Sequence, residues 1–580
     1  MTVHQANCKT ASRLRPPKLK AETAVALAGT AFSVILLVLM AMHAGPLWRD
    51  ETNTLNVAQM PSLKEFWNNL TFESFPPLWP LLLRGWGFLG LAGSDAGIRV
   101  LGLLVGLLFL ASLWLCSRWI GSRAPILSIA LLGSLPAFIF TIGANRAYGL
   151  ASCLLVLSFG TLWRMVEFPA RARVLLAGLA CFLFAHCVYY DLVFLCAILS
   201  GAAVVTIRRR QWKTLGALVG ICAVSSGSMI VYLPIIRRGS VYVPMNQSPA
   251  FDFLALWHNL WYKLNDALAA RSSAHPLRFD GSEIWLWVVL LLGGSIVALV
   301  MQRTHKHQTQ NQGAATAITT RNRADLTLFC VVSMLLGIEG YMVFLLKLHY
   351  ATQAWYYVEM LCLCAISLEG LLGASWPALR PWGLLRIGFM VAMMTWSARS
   401  AWEEAHTRRS NVDLIADVLG KDVSAGDLIV VQSAWEGITF NRYYHGRAHW
   451  VTVPPIGSHK VHRNDLVLEK MNQPNPMAAV LREIISTLQS GNSVWIVGDM
   501  AVEHPQQLPS PPAPHTEWLL PHLYYWSAQV MVLLYDHALQ ERVLVIPVNG
   551  PVNHLENLPV AQFSGYKPDA ELTSPSAAGI

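Results

Sequence analysis

The chain has 580 residues, 54% of them hydrophobic and 13% charged, with a mean hydropathy of +0.42. A soluble protein carries roughly twice that charged fraction, so a wholly water-soluble chain is excluded and a polytopic α-helical membrane protein is expected. The formal charge of +9 sits in short basic stretches between apolar runs, as in cytoplasmic loops beside lipid headgroups, which argues for membrane orientation and against nucleic acid. The ten cysteines all precede position 400, most of them inside apolar runs and without zinc-ligand spacing or a disulfide framework.

Runs long enough to cross a bilayer, about 17 to 25 residues, occur near 21–44, 97–117, 125–142, 148–166, 174–189, 190–207, 214–234, 284–301, 326–346, 353–373 and 383–399. About eleven transmembrane helices are expected. The first run is too long for a signal-peptide core and lacks a small-residue cleavage site before Pro46, so it stays as a helix. Basic loops at Lys9 to Lys20, Arg118 to Arg123, Arg164 to Arg173, Arg208 to Lys213, Arg303 to Arg323 and Arg380 to Arg386 alternate with less basic ones, which places the amino terminus in the cytoplasm. With an odd number of spans, residues 45–96, the turn at 143–147, the loop 235–283, the turn near 347–352 and everything after 400 lie outside. The expected localisation is the inner cell membrane, with an exterior or periplasmic carboxyl-terminal domain.

The stretch 302–324 is polar, lacks periodicity and reads as a cytoplasmic linker. Its His305 and His307 have no third ligand, so no metal is assigned to them. After residue 400 short β-branched runs at 427–432, 449–455, 493–499 and 543–548 alternate with helical stretches such as 477–489. That alternation predicts a soluble α/β domain over 401–580 with a largely parallel sheet, following a membrane domain over 1–400. SPPAPH near 510 reads as a rigid connector, and no glycine-rich phosphate loop precedes any helix.

Chemistry is suggested first by GPLWRDETNTLNVAQM (45–60), where Arg49, Asp50 and Glu51 close the first apolar run. Carboxylates there also suit a first helical turn, where the helix dipole stabilises them by roughly 0.3 to 1 kcal/mol. The loop then returns through Pro76-Pro77-Leu78 and enters the second span after Asp95 and Arg99. ANRAYG (144–149) supplies Arg146 and Tyr148 at the head of the fourth span, and FLFAHCVYYDLVF (182–194) supplies His186, Tyr189 and Tyr190.

This arrangement resembles the integral-membrane glycosyltransferases of the GT-C fold, and within them the protein mannosyltransferase and lipid A aminoarabinose transferase branch, which takes sugars from polyprenyl phosphates. The resemblance is good over about residues 21–210, loose to 400, and a matter of placement alone in the soluble domain. One departure is Phe75, which stands where many relatives have His before Pro-Pro-Leu, so that histidine's role does not carry over.

The resemblance implies a polyprenyl-phosphate sugar donor, a hydroxyl acceptor on lipid A, an envelope glycan or a protein, and one inverting displacement. Asp50 is then expected as general base, since partial desolvation at the membrane edge raises carboxylate basicity. Glu51 is expected as a catalytic partner that orients the acceptor or pairs with Arg49. Arg146 is expected to bind the donor phosphate through its forked, permanent charge, with Lys347 beside it. Tyr148, His186, Tyr189 and His349 are the candidate substrate contacts. The blander readings are an interface anchor for Lys347, a hydrogen-bonded core histidine for His186 and an aromatic belt for the tyrosines.

Some GT-C enzymes use a divalent ion held by several carboxylates. Here the outer-loop acids, Asp50, Glu51, Glu65, Glu73, Asp95, Asp252, Asp266, Asp280 and Glu283, are scattered without ligand spacing, so neither a metal nor another cofactor is predicted. The competing reading, a transporter or flippase of lipid-linked sugars, calls for internal repeats and helices broken at mid-depth. Neither pattern is visible, and the ionic residues gather at the rim.

Overall fold

A computed structural model describes residues 18–122, 124–246, 253–269, 271–274, 282–308, 314–349, 352–373, 380–505, 507–513 and 516–568. Helix α1 (Lys18–His43) is followed by α2 (Arg49–Ala58), α3 (Leu63–Asn69) and α4 (Leu78–Phe88), which fill the connection to the long α5 (Asp95–Trp119). Next come α6 (Ile126–Leu132), α7 (Pro136–Ile142), α8 (Ala147–Glu167), α9 (Arg171–Ala185), α10 (Asp191–Arg208), α11 (Trp212–Ser228) and α12 (Leu233–Ser240). Helices α13 (Phe253–Leu268), α14 (Ser282–Gln308), α15 (Ala314–Leu348), α16 (Val358–Leu368) and α17 (Arg380–His406) complete the bundle.

Among the described residues seven helices are long and apolar enough to cross a membrane: Ala21–His43, Asp95–Trp119, Ala147–Glu167, Asp191–Arg208, Trp212–Ser240, Asn322–Leu348 and Ala354–Gly373. The eleven expected from hydropathy are therefore not all present as single long helices. The run 125–142 is two seven-residue helices, because the chain breaks between Gly133 and Leu135 and restarts with Pro136 at the first helical position, where a missing N–H costs nothing. The run 174–189 is the 15-residue α9. The linker expected at 302–324 is instead helical up to 308 and again from 314, and the side chains of His305 and His307 lie outside the described residues.

One end of the bundle is fastened by buried ion pairs. Arg209 Nε lies 2.7 Å from Asp325, and Glu369 receives Arg386 Nη2 at 3.1 Å and the Ser122 hydroxyl at 2.7 Å. Glu369 also accepts the Leu127 and Ser128 N–H groups at the start of α6, satisfying donors that a helix start leaves free. The opposite end, where α1 finishes and α5, α8, α10 and α16 begin, carries the aromatic and ionic residues considered below.

Beyond α17 the chain forms α18 (Val412–Asp422), β1 (Leu428–Gln432), α19 (Glu436–Tyr443), β2 (His449–Val453), α20 (Asn464–Met471), α21 (Ala478–Gln489), β3 (Val494–Val497), α22 (Leu519–His537), β4 (Ala538–Leu544) and β5 (Val560–Tyr566). The sheet order is β2-β1-β3-β5-β4. Strands β1, β2 and β3 are parallel, while β5 runs antiparallel to both β3 and β4, so the sheet is mixed rather than largely parallel. The strand expected at 543–548 lies earlier, because α22 leads straight into β4, and Val545 is 91% exposed. Both faces of β1 and β3 are covered: Leu428, Val430, Val494 and Ile496 pack with α21 and α22, and Ile429, Val431, Trp495 and Val497 pack with α18. Burial on both faces explains their unbroken apolar runs.

The two parts are joined by polar contacts. Arg442 Nη2 and the Tyr443 hydroxyl each lie 2.7 Å from the Asp95 carboxylate at the start of α5, and the same Tyr443 oxygen accepts the Leu47 N–H at 2.7 Å. Arg409 is buried with its guanidinium 3.7 Å from the Phe140 ring centre, and its N–H donates to the Ala44 carbonyl at 2.7 Å. Gly45 turns at a φ of +65°, where an added Cβ would lie 2.8 Å from Arg408 Cζ. Glycine alone meets both demands at low cost.

Candidate active site

Helix α2 starts with Trp48 extended and Glu51 reaching back to accept the Trp48 N–H at 3.3 Å, a one-sided cap that helps fix the phase of the helix. Asp50 and Glu51 therefore point in different directions. Glu51 has no side-chain exposure: its Oε1 accepts from Arg99 Nη1 at 2.7 Å and from the Asn145 N–H at 2.8 Å. Arg99 also donates to the Pro46 carbonyl at 2.7 Å, so Glu51 ties α2 to α5 and to the turn before α8. Asp50 keeps 24% of its side chain exposed.

Three cationic or imidazole groups surround the Asp50 carboxylate. Arg146 Nη2 is 3.8 Å from Oδ2, Arg49 Nε is 3.8 Å from Oδ1, and His462 Nε2 is 3.4 Å from Oδ1. Burial would raise the Asp50 pKa, but Arg146, then His462 and Arg49, outweigh it and hold the carboxyl well below the usual carboxylate range.

Arg146 caps α8 with extended backbone and is almost fully buried. Its Nη1 donates to the Asp50 carbonyl at 2.8 Å and to Thr54 Oγ1 at 2.7 Å, and lies 3.3 Å from Glu73 Oε1. Its guanidinium lies over the Phe75 ring at 4.4 Å, a contact worth about 2 kcal/mol when desolvated. Among the described residues its Nε has no acceptor. Glu73, grouped from sequence with scattered loop acids, is buried: Thr54 Oγ1 and Asn53 Nδ2 donate to its Oε2 at 2.6 and 3.2 Å, and the Ser74 N–H donates to Oε1 at 2.9 Å.

The carboxyl-terminal α/β part closes over this cluster with the carboxyl ends of its parallel strands. Arg49 Nη1 is 2.9 Å from Glu436 Oε1 just beyond β1, and the Arg49 N–H donates to Glu556 Oε2 at 3.2 Å. Burial, partly opposed by Arg49, pushes the Glu556 carboxyl up to about 8. Open α/β sheets commonly take ligands at the carboxyl ends of their strands, where strand order reverses; here β2 and β3 lie on opposite sides of β1.

Other sequence candidates are distributed differently. Tyr148 is buried edge-on to Phe75, ring centres 5.1 Å apart, and 6.3 Å from Tyr356, so it lines the arginine pocket. His186 has both ring nitrogens engaged, with the Tyr232 hydroxyl at 3.0 Å and the Ser228 hydroxyl at 3.1 Å, and belongs to the packing. Tyr189 is half-buried against the cluster containing Val57 and Tyr232. Lys347 and His349 are exposed at the end of α15, with His349 Nδ1 3.1 Å from the Lys347 carbonyl, and among the described residues neither is joined to Asp50 or Arg146 by a hydrogen bond or ion pair. No group of three His, Cys, Asp or Glu side chains converges as metal ligands among the described residues.

Sequence reasoning missed the partners that complete the cluster. Glu73 had one available signal, its place two residues before Phe75-Pro76-Pro77. His462 and Glu436 had none, because their nearness to α2 arises from docking of a distant domain.

Neither a protein-family model nor a curated protein matches the sequence. Among solved structures the chain is similar to ArnT from Cupriavidus metallidurans bound to undecaprenyl phosphate, at 14% identity over 92% of this chain and 97% of that one, with a TM-score of 0.37. It is also similar to ArnT from the same organism in the apo state, at 16% identity over 82% and 93%, TM-score 0.36. A third is the Archaeoglobus fulgidus oligosaccharyltransferase tethered with an acceptor peptide containing the NVT sequon, at 9% identity over 94% and 73%, TM-score 0.41.

Proposed function

We propose that this chain is a membrane glycosyltransferase of the GT-C type, moving a sugar from a polyprenyl-phosphate donor to a hydroxyl acceptor at the outer face of the membrane. The observation that carries the reading is the pairing of a partly open carboxylate, Asp50, with a buried arginine, Arg146, at one end of an apolar bundle. Asp50 is the group that accepts the acceptor's proton. The acceptor oxygen attacks the anomeric carbon from the face opposite the phosphate, so the sugar configuration inverts. Arg146 holds a permanent charge where the leaving phosphate gathers its negative charge, and its Nε–H, without an acceptor among the described residues, is a donor for a phosphate oxygen.

Glu51 and Glu73 act by holding rather than reacting: both are fully enclosed, with their oxygens engaged by Arg99, Arg146, Thr54 and Asn53. Tyr148 and Phe75 form the wall beside Arg146. The acceptor is a lipid, an envelope glycan or a protein hydroxyl, bound between Asp50 and the strand ends of the soluble domain. A transporter reading has less support, because the ionic cluster lies at a bundle end and not at mid-depth.

The test compares envelope lipids and glycoproteins, by mass spectrometry, from cells lacking the gene and from cells complemented with wild type or Asp50→Asn. Wild type restores one missing sugar mass, and the variant lowers its formation by roughly 10²- to 10⁴-fold at equal protein level. Product formed by Asp50→Asn at the wild-type rate overturns the reading.

A further inference from the structure

His462 belongs to the soluble domain, in the segment between β2 and α20, yet it is fixed against the membrane part. Its N–H donates to Asn53 Oδ1 at 2.8 Å, and the carbonyl of Lys460 accepts from Asn56 Nδ2 at 2.7 Å. Asn53 is itself held by the Phe72 carbonyl at 3.1 Å and by Glu73 at 3.2 Å. Two backbone anchors on α2 thus set the position from which the imidazole reaches Asp50, Nε2 to Oδ1 at 3.4 Å, with 17% of the histidine side chain still exposed.

We propose that His462 is the proton-accepting partner of Asp50, so that the soluble domain completes the acid–base apparatus of the bundle; this rests on the glycosyltransferase reading above. As the bond between acceptor oxygen and anomeric carbon forms, the bond from that carbon to the donor phosphate breaks and its electron pair leaves with the phosphate. With the neutral ring carrying its own proton on Nδ1 and Nε2 free, the acceptor's proton moves to Asp50 and on to Nε2. An imidazolium then faces a carboxylate until the ring releases the proton to solvent.

The surroundings favour this second transfer. From the bundle side Arg146 and Glu73 face the pair; from α2 itself comes Arg49, with Glu436 behind it. On the histidine's own segment Lys460 is anchored through its carbonyl, and Arg463 is paired with Asp465 at 2.6 and 2.8 Å. A carboxylate flanked by two arginines and held below its usual range is a poor resting place for a proton. Imidazole is the side chain that changes charge between about pH 5 and 8.

The experiment uses the full-length protein in membranes carrying their endogenous lipid-linked sugars, and follows product formation against pH for wild type, His462→Gln, His462→Ala and Asp50→Asn. His462→Gln is expected to lower the rate near pH 7 by roughly 10- to 100-fold with unchanged thermal stability, and to change the shape of the pH profile. Added imidazole is expected to restore part of the His462→Ala rate. If both histidine variants match wild type in rate and pH profile while Asp50→Asn is inactive, the relay is wrong and the glycosyltransferase reading stands. A lower rate with a parallel pH profile and no imidazole rescue makes His462 a structural latch and also overturns the relay. If wild type itself forms no glycosylated product, the underlying reading fails.

Discussion

At Glu51 both oxygens are committed, Oε1 to Arg99 and Asn145 and Oε2 to Trp48, with no side-chain exposure. Removing its charge leaves Arg99, 4% exposed, without a counter-ion; losing one partner of a buried pair costs about 3–5 kcal/mol. Glu51→Gln is therefore expected to lower the thermal midpoint of the detergent-solubilised protein markedly, and its loss of activity should track loss of folded protein. Asp50→Asn should leave that midpoint within a few degrees of wild type, since Arg146 keeps Glu73. Measuring unfolding and product formation together separates the two adjacent carboxylates. Their motif was legible in the sequence because two acids at the end of an apolar run are conspicuous. Which one faces the opening was not, since that depends on an Arg99 that α5 brings back to the same turn.

Helix α5 approaches the turn that carries Arg146 closely enough to exclude a side chain. A Cβ on Gly102 would lie 2.6 Å from the Gly143 carbonyl. Backbone atoms there cannot swing aside, so Gly102→Val should force α5 from the turn. Overpacking of this kind costs roughly 1–3 kcal/mol. Because Asn145 and Arg146 ride on that turn, the variant should lose transfer rate beyond its loss of stability, read as product per folded molecule. Element positions were largely visible in advance where the pattern is strong, as in the unbroken β-branched run 428–432 and the helical periodicity of 478–489. The break inside 125–142 was less visible because both halves are apolar throughout. Strand β5 escaped because Val560-Ala-Gln-Phe-Ser-Gly-Tyr carries polar and glycine residues that its position between β3 and β4 tolerates.

Across the whole molecule, Glu556 is one of the groups through which the sheet-bearing part meets α2, accepting the Arg49 N–H. Its folded-state pKa of about 8 lies above the ordinary value of about 4.3 for a glutamate in an unfolded chain. The folded protein thus holds that proton more tightly. The group's contribution to stability is full below about pH 4, and it is lost as pH rises through 8. Glu556→Gln, which keeps an acceptor for the Arg49 N–H, should flatten the fall in thermal midpoint between pH 5 and 9, with its largest gain over wild type at the alkaline end. Thermal unfolding at a series of pH values checks this, and equal slopes for the two proteins refute it.

The contact between His462 and α2 joins residues 409 positions apart. During synthesis, Asp50 is therefore in place long before the segment that shelters it has been made. A nascent chain anchored by its early helices has Asp50 and Arg146 but not the imidazole of His462. On the relay proposed above, an unfinished enzyme would not discharge sugar from its lipid carrier to water.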